Sequence, residues 1–227
     1  MSLAVVTGAS RGIGRATALA LAARGVELAL LGRPSDALAG TVAAARGQGA
    51  RAEAIDCELA DASSIAAACG DLVGRRGAPA VVVNVAGVIH RGTVAGAPVE
   101  QWDAQLAVNL RAPFLVARAL LPAMLAAGAG RIVNVGSISS TVACPGAAAY
   151  AASKWGLVGF TKSLAAELTD SGVIALVVLP GSVDTEMLVG SGFPPRMTPA
   201  EVASTLVHYA LDAPPAHNGA VVEMFGV

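Results

Sequence analysis

Close to its start the chain reads Thr7-Gly8-Ala9-Ser10-Arg11-Gly12-Ile13-Gly14, between an apolar run (3–7) and an Ala/Leu-rich helical segment (15–24). Glycines let the backbone turn sharply and approach a ligand closely, and a helix start offers free N–H groups to an anion. The stretch therefore predicts a strand–turn–helix unit that holds the pyrophosphate of a dinucleotide. The residues expected to contact it are Gly8, Ser10, Arg11, Gly12, Ile13 and Gly14. A simple tight turn is the alternative interpretation.

The same strand-then-helix pattern continues along the chain. Predicted strands are 3–7, 27–31, 52–55, 80–85, 131–135, 173–179 and 220–224, and predicted helices are 15–24, 35–48, 63–73, 99–127, 150–170 and 199–211. Pro113 and Pro122 predict irregularities in the long helix. This alternation indicates an α/β protein, with residues 1–227 forming a single-domain Rossmann fold. We expect a doubly wound parallel sheet of about seven strands with helices on both faces.

Composition narrows the classes of function. Hydrophobic residues make up 55% of the chain and charged residues 14%, which predicts a large core and apolar surface hidden between subunits. A net charge of −1 favours neither nucleic acid nor an anionic membrane as partner. The apolar runs have the length of strands, and the start lacks a basic signal region, so we expect no membrane span. The three separated cysteines, Cys57, Cys69 and Cys144, are typical of reduced thiols in a cytoplasmic protein without a metal site.

The end of the second strand bears on which dinucleotide is bound. An NAD-binding protein of this kind places a carboxylate there to bind the ribose 2′-hydroxyl, whereas this chain has Gly32 and Arg33. Arg33 and Arg11 together suit a 2′-phosphate, which guanidinium groups bind in a charge-assisted manner. The sequence thus favours NADP(H), with NAD(H) possible. The alternative is that both are ordinary solvated arginines.

Tyr150 and Lys154 stand four residues apart in a helical segment, so they share one helix face. A nearby cation favours phenolate and makes tyrosine able to exchange protons near neutral pH. The chain has only one other tyrosine, Tyr209, and one other lysine, Lys162, which strengthens the signal. The alternative is a surface tyrosine beside a solvated lysine.

Over essentially its whole length the chain resembles the short-chain dehydrogenases/reductases. The motifs that carry the resemblance occur in family order: the Thr7–Gly14 turn, Asn84-Val85-Ala86-Gly87, Asn109, Ser137, Tyr150-x-x-x-Lys154 and Pro180-Gly181-Ser182-Val183-Asp184-Thr185. Within the family, the chain is most similar to 3-oxoacyl-carrier-protein reductases and related ketoreductases.

The resemblance implies an enzyme that passes hydride between a nicotinamide and a carbonyl or secondary alcohol carbon. Tyr150 is expected to be the general acid/base, and Lys154 to assist it and bind the nicotinamide ribose. Ser137 is expected to hold the substrate oxygen, and Asn109 to anchor a water that relays protons to Lys154. For Ser137 the alternative is a serine that caps a turn, and for Asn109 a helix-interior amide.

The resemblance also implies further cofactor contacts. The adenine is expected beside Glu58 and Leu59, with Asp56 as the rival assignment. The remaining cofactor-binding residues that the family motifs imply are Asn84, Ala86, Gly87, Tyr150, Lys154, Pro180, Gly181, Val183 and Thr185.

Two features depart from the family pattern. Val85 replaces an asparagine that normally supports neighbouring structure. The loop from Thr185 to Pro199 is short, which predicts an open active site with little substrate lid. The apolar residues expected around a small-molecule substrate are Val88, Ile89, Val142, Cys144, Met187 and Phe193.

Two questions are open at this stage. A non-catalytic NAD(P)-binding sensor on the same fold is the alternative to an oxidoreductase, although such proteins tend to lose the tyrosine or the lysine. The family also implies a homodimer or homotetramer, with helices 99–127 and 150–170 paired between subunits.

Overall fold

The computed structural model describes residues 2–226, and a parallel seven-stranded sheet runs through its centre. The strands are β1 (Leu3–Thr7), β2 (Glu27–Gly32), β3 (Ala52–Asp56), β4 (Val81–Asn84), β5 (Gly130–Val135), β6 (Val173–Pro180) and β7 (Val221–Met224). Their order is β3-β2-β1-β4-β5-β6-β7, and all six neighbouring pairs are parallel. The predicted Rossmann architecture is confirmed.

Helices cover both faces of this sheet. They are α1 (Gly12–Ala23), α2 (Asp36–Gly47), α3 (Ala62–Arg76), α4 (Val99–Leu106), α5 (Ala112–Ala127), α6 (Ala148–Glu167) and α7 (Pro199–Val207). Successive strand residues alternate between two apolar clusters: Val6 packs with α1, α2 and α7, and Val5 packs with α3, α5 and α6. Burial on both faces explains why the central strands are continuous runs of valine, leucine and isoleucine.

The long predicted helix 99–127 contains an irregularity just ahead of Pro113. A π-helical segment, Ala107–Arg111, joins α4 to α5. Proline has no N–H, so Pro113 cannot donate to the carbonyl of Asn109 four residues earlier, which favours a break in the α-helical pattern there. The irregularity predicted at Pro122 is wrong, because α5 continues through that residue.

Within residues 2–226, the helix Val99–Ala127 is the one element long and apolar enough to cross a membrane. Core helices of soluble proteins meet the same criterion, and α5 packs Val116, Leu120 and Met124 into the core. Its length and composition are therefore weak evidence for a membrane span.

The carboxyl ends of the strands form one edge, where the chain order reverses between β1 and β4. In open α/β sheets ligands bind in the crevice at this switch point. The turns after β1, β4, β5 and β6 all reach this edge, and they carry the residues singled out from the sequence.

Candidate functional site

The turn between β1 and α1 requires its glycines for close packing. Gly8 has φ +70°, and a Cβ placed on it would lie 2.7 Å from the Cα of Ala86 in the turn after β4. A Cβ on Gly14 would collide with the carbonyl of Gly8. The Thr7 hydroxyl oxygen accepts bonds from the N–H groups of Val85 and Ala86, both at 3.2 Å. The two turns are thereby fixed against each other at the switch point.

Both arginines that the sequence places at the nucleotide are paired with carboxylates. Arg11 precedes α1, and its Nη1 lies 2.6 Å from Oε2 of Glu186, with both side chains exposed. Arg33 follows β2, and its Nε lies 3.8 Å from Oε2 of Glu58. Glu58 also caps its own turn by accepting a bond from the N–H of Ala60 at 3.0 Å. A phosphate at either arginine has to compete with a carboxylate.

Two further residues predicted to contact the cofactor, Leu59 beside the adenine and Asn84 at the end of β4, are buried. Leu59 is part of the apolar core, beneath the surface that carries Glu58. Asn84 donates from Nδ2 to Oδ1 of Asn134 at 2.9 Å, and Asn134 donates from Nδ2 to Oγ1 of Thr161 in α6 at the same distance. Among residues 2–226, Oδ1 of Asn84 has no hydrogen-bond partner. This buried chain of side chains ties β4 and β5 to the helix that carries Tyr150.

Tyr150 and Lys154 lie together on the inner face of α6. Tyr150 is 7% exposed and Lys154 is 3% exposed. Nζ of Lys154 lies 5.7 Å from the Tyr150 ring centroid and donates to the carbonyl oxygen of Val135 at 2.8 Å. A Cβ on Gly87 would lie 3.6 Å from the same Nζ, so the ammonium faces the turn after β4. The two side chains are buried, so the interpretation as a solvated surface pair is wrong.

Burial decides the proton affinity of this pair. Burial raises the pKa of Tyr150, while a hydrogen bond from Ser137 lowers it. Burial also lowers the pKa of Lys154 to about 8. A lysine with this pKa is less fully charged at mildly alkaline pH than an exposed one. Without a nicotinamide beside it, desolvation is the largest influence on the pKa of Tyr150.

Asn109 and Ser137 have local structural contacts as well as a place beside this pair. Asn109 is fully buried in the π-helical segment. Its Nδ2 donates to the carbonyl of Val88 at 2.9 Å and to Oγ of Ser153 at 3.1 Å, while its Oδ1 accepts from the N–H of Val88 at 2.8 Å. Oγ of Ser137 caps a short 3₁₀ turn by accepting from the N–H of Ser139 at 3.2 Å.

The segment after β6 closes the crevice from the other side. Gly181 donates its N–H to the carbonyl of Met224 at 2.7 Å, directly after Pro180 at the end of β6. Val183 is buried, and a Cβ on Gly12 would lie 3.2 Å from Cγ2 of Thr185. Of the predicted residues of this segment, Thr185 thus reaches the glycine turn.

A 3₁₀ turn, Glu186–Leu188, follows and lies over Tyr150. Sδ of Met187 is 3.9 Å from the phenol oxygen of Tyr150, and Nη2 of Arg91 donates to the carbonyl of Met187 at 3.3 Å. The expected open site is therefore wrong, because even this short loop folds back across the tyrosine. Sequence reasoning missed the parts of Arg91 and Glu186, since the pairs Arg91–Met187 and Arg11–Glu186 join residues 96 and 175 positions apart.

The expected substrate-side residues divide into two groups. Val142 and Phe193 are 49% and 66% exposed, whereas Val88, Ile89 and Cys144 are half-buried. A cavity of about 180 Å³ opens beside the start of α6, lined by residues that include His90, Gly92, Trp102 and Ala149. Residues 2–226 contain no group of three His, Cys, Asp or Glu side chains that could hold a metal ion.

A doubly wound sheet with a glycine turn at its switch point and a buried tyrosine–lysine pair beside it defines an α/β protein of the dinucleotide-binding class. The family model of the short chain dehydrogenases matches residues 2–192. The chain therefore belongs to the short chain dehydrogenase family, and it is an oxidoreductase of that family acting on a CH–OH or C=O group.

Individual relatives match the chain along nearly its whole length. It is 35% identical over 225 residues to a 3-oxoacyl-[acyl-carrier-protein] reductase of Synechocystis sp., covering 95% of this chain and 91% of that protein. It is 35% identical over 231 residues to a D-threitol dehydrogenase of Mycolicibacterium smegmatis, covering 96% and 89%. The crystal structure of a single-substitution variant of the actinorhodin polyketide ketoreductase with NADPH superimposes with a TM-score of 0.92 at 30% identity, covering 99% of this chain and 96% of that one.

Proposed function

We propose that this chain is an NADP(H)-dependent oxidoreductase that interconverts a small-molecule ketone and its secondary alcohol, with Tyr150 as general acid/base. The observation that carries the proposal is the buried Tyr150–Lys154 pair, Nζ to ring centroid 5.7 Å, at the edge of the sheet that also carries the glycine turn. The preference for a ketoreductase reaction is further supported by relatives that include a 3-oxoacyl-[acyl-carrier-protein] reductase.

The residues of the crevice fit a dinucleotide. Gly8 and Gly14 keep open a cradle that a Cβ at either position would fill, and the start of α1 supplies N–H groups for a pyrophosphate. Gly12, Ser10 and Ile13 complete this turn, and Asn84, Ala86, Gly87, Pro180, Gly181, Val183 and Thr185 line the rest of the proposed cofactor site. When bound, the nicotinamide supplies or accepts the hydride.

The preference for NADP(H) is supported by charge at the end of β2. Gly32 and Arg33 stand where a carboxylate would bind a ribose 2′-hydroxyl, and Arg11 offers a second guanidinium. The similar polyketide ketoreductase structure contains NADPH. Glu58 and Leu59 are proposed to border the adenine, with Glu58 pairing to Arg33 when no phosphate is present.

In this reaction the residues of the protein transfer one proton. During reduction the phenol of Tyr150 gives its proton to the carbonyl oxygen as hydride reaches the carbon, and the phenolate is reprotonated afterwards. Ser137 holds the substrate oxygen, and Lys154 stabilises the phenolate and binds the nicotinamide ribose. Pro113 cannot donate to the backbone carbonyl of Asn109, so this carbonyl is suited to hold the relay water.

Apolar side chains exposed on α4, α5 and α6 support a homodimer or homotetramer. Trp102, Phe114 and Trp155 are 40%, 44% and 55% exposed, so these helices offer apolar surface that a second subunit could bury. We propose that these helices pair between subunits, and that the protein acts in the cytoplasm, in keeping with its unpaired cysteines. Light scattering after gel filtration gives the oligomeric state directly.

The test is oxidation of NADPH and of NADH over a panel of ketones and β-ketoacyl thioesters, repeated with Tyr150→Phe. We expect turnover with NADPH and a loss of at least about 100-fold in the variant, the usual scale of general acid–base catalysis. Tyr209→Phe is the matched control, because Tyr209 packs between His208 and His217, away from the crevice. Undiminished turnover by Tyr150→Phe would exclude the mechanism. NADPH binding without turnover of any substrate would instead favour a non-catalytic sensor.

A further inference from the structure

The 3₁₀ turn Glu186–Leu188 is held from two sides by arginines of two other loops. Arg11 of the glycine turn bonds the carboxylate of Glu186 at 2.6 Å. Arg91 of the loop after β4 bonds the carbonyl of Met187 at 3.3 Å. We call these four residues, Arg11, Glu186, Met187 and Arg91, the clasp. It joins three of the four loops that border the crevice, those after β1, β4 and β6.

At one end of the clasp Arg11 binds Glu186, although the proposed cofactor also needs Arg11 for its 2′-phosphate. Arg11 is adjacent to Gly12, and a Cβ on Gly12 would lie 3.2 Å from Thr185 at the base of the 3₁₀ turn. The Arg11–Glu186 pair is exposed, 73% and 74% for the two side chains, so its contribution is small. A phosphate dianion forms stronger, bidentate bonds with a guanidinium than an exposed carboxylate does. A 2′-phosphate at Arg11 therefore displaces Glu186.

The other end of the clasp covers the proposed catalytic group. Sδ of Met187 lies 3.9 Å from the phenol oxygen of Tyr150, and its Cε would lie 3.8 Å from a Cβ on Gly87. Met187 thus fills space between the turn after β4 and Tyr150, where nicotinamide and substrate have to meet. Met187 follows Glu186 directly in the same 3₁₀ turn, so a shift of the turn's backbone moves the carboxylate and the thioether together.

We propose that Glu186 sets nucleotide selectivity by competing with the 2′-phosphate for Arg11. When the phosphate binds Arg11 in place of Glu186, the 3₁₀ turn is released and Tyr150 is uncovered. The proposal rests on the proposed NADP(H) preference. Under it, a nucleotide without the 2′-phosphate leaves Glu186 on Arg11 and Met187 over Tyr150. Glu186 is then a specificity-determining residue that acts through the position of the turn.

The first measurement is calorimetric binding of 2′,5′-ADP and of 5′-AMP to wild type, Glu186→Gln and Glu167→Gln. Glu167 is an exposed carboxylate near the end of α6, outside the ion pairs found in residues 2–226. We expect Glu186→Gln to bind 2′,5′-ADP about two- to fivefold more tightly, the scale of an exposed ion pair, with 5′-AMP binding unchanged. The gain should shrink in about 1 M salt, which screens exposed charges. Glu167→Gln should match wild type.

The second measurement is hydrogen exchange of the peptide that contains the turn. The N–H groups of Leu188, Val189 and Ser191 donate to the carbonyls of Thr185, Glu186 and Leu188 at 3.0, 3.2 and 3.0 Å, which slows their exchange. We expect 2′,5′-ADP, and not 5′-AMP, to speed this exchange in wild type, and Glu186→Gln to exchange about two- to fivefold faster than wild type without ligand. These results separate competition for Arg11 from simple charge repulsion, which would leave exchange unchanged.

The outcomes also separate this proposal from the proposed function. If wild type prefers 2′,5′-ADP but Glu186→Gln behaves like wild type in both measurements, the clasp is overturned and the NADP(H) preference stands. If wild type binds both nucleotides equally, the NADP(H) preference is overturned, and the proposal with it.

Discussion

The two halves of the crevice are built in opposite ways. The half around Tyr150 and Lys154 is buried, and Lys154 there donates to a strand of the sheet while Asn134 donates to α6. The half around Arg11 and Arg33 consists of exposed charges paired with carboxylates of distant loops. Desolvation fixes protonation and geometry in the first half, whereas solvent screens the second. Packing therefore fixes the tyrosine–lysine pair, whereas we propose that nucleotide choice depends on the weak, exchangeable contacts of the exposed half.

The largest expected effect tests the packing of the glycine turn that lies between the two halves. Gly14→Ala places a Cβ against the carbonyl of Gly8, so backbone has to move, and we expect a loss of about 3 kcal/mol in the free energy of unfolding. The control is Gly40→Ala in α2, where no heavy atom of the described chain lies within 4 Å of the new Cβ. Urea denaturation should show Gly40→Ala at least as stable as wild type, because alanine favours helix. Equal stability of the two variants would refute the packing argument.

The next effect tests the buried chain of side chains. Thr161→Val removes the acceptor of Asn134 Nδ2 and leaves that group unpaired, which should cost about 1–3 kcal/mol of unfolding free energy. Thr169→Val is the matched control, since the Thr169 hydroxyl is exposed and bonds only its own helix end within the described structure. Urea denaturation compares the two variants. If Thr161→Val loses no more unfolding free energy than Thr169→Val, the hydrogen bonds from Asn84 through Asn134 to Thr161 do not anchor α6.

A smaller, pH-dependent effect tests the desolvation of Lys154. The folded chain releases this proton near pH 8, compared with 10.5 for an unperturbed lysine, so between these values the unfolded chain binds more protons. Wild-type stability should therefore rise with pH across this window, by about 1 kcal/mol per pH unit, relative to Lys154→Met. Thermal denaturation of cofactor-free protein from pH 7 to 10 measures the difference between the two. The lost bond to Val135 gives a constant offset, and a difference that does not vary with pH would contradict the lowered pKa.

The smallest effect on stability is expected in the exposed half. Arg33→Ala removes a guanidinium 3.8 Å from Glu58 and should change the free energy of unfolding by less than about 0.5 kcal/mol. It should nevertheless weaken 2′,5′-ADP binding about tenfold, because a charge-assisted bond to phosphate is lost. Arg51→Ala is the control for both measurements, because Arg51 is also an exposed arginine, with its Nη1 3.5 Å from Oε1 of Glu27, and it precedes β3 at the edge of the sheet opposite the crevice. A large loss of stability in Arg33→Ala would contradict the distinction between a buried half fixed by packing and an exposed half held by weak contacts.

Local sequence patterns predicted most of the fold. The strand runs, the glycine turn and the Tyr150–Lys154 spacing are all encoded within a few residues, and the structure places them as expected. Pro113 and Pro122 looked equivalent in sequence, because each removes one backbone hydrogen bond. The sequence alone could not show that the irregular segment lies ahead of Pro113 while α5 continues through Pro122. The clasp could not be predicted, because Arg11 and Glu186 meet only after the whole sheet has formed. The raised pKa of Tyr150 was missed for the same reason, since burial is a property of the assembled fold.

The near-absence of lysine has a practical consequence for attaching the protein to a surface. Lys154 and Lys162 are the only lysines of the chain, and Lys154 is enclosed by packing. Lys162 is exposed on α6, about 12 Å further along the helix axis. Amine-reactive supports should therefore leave the crevice untouched, and Lys162, on the same face of α6 as Trp155, should react only where no second subunit covers that face.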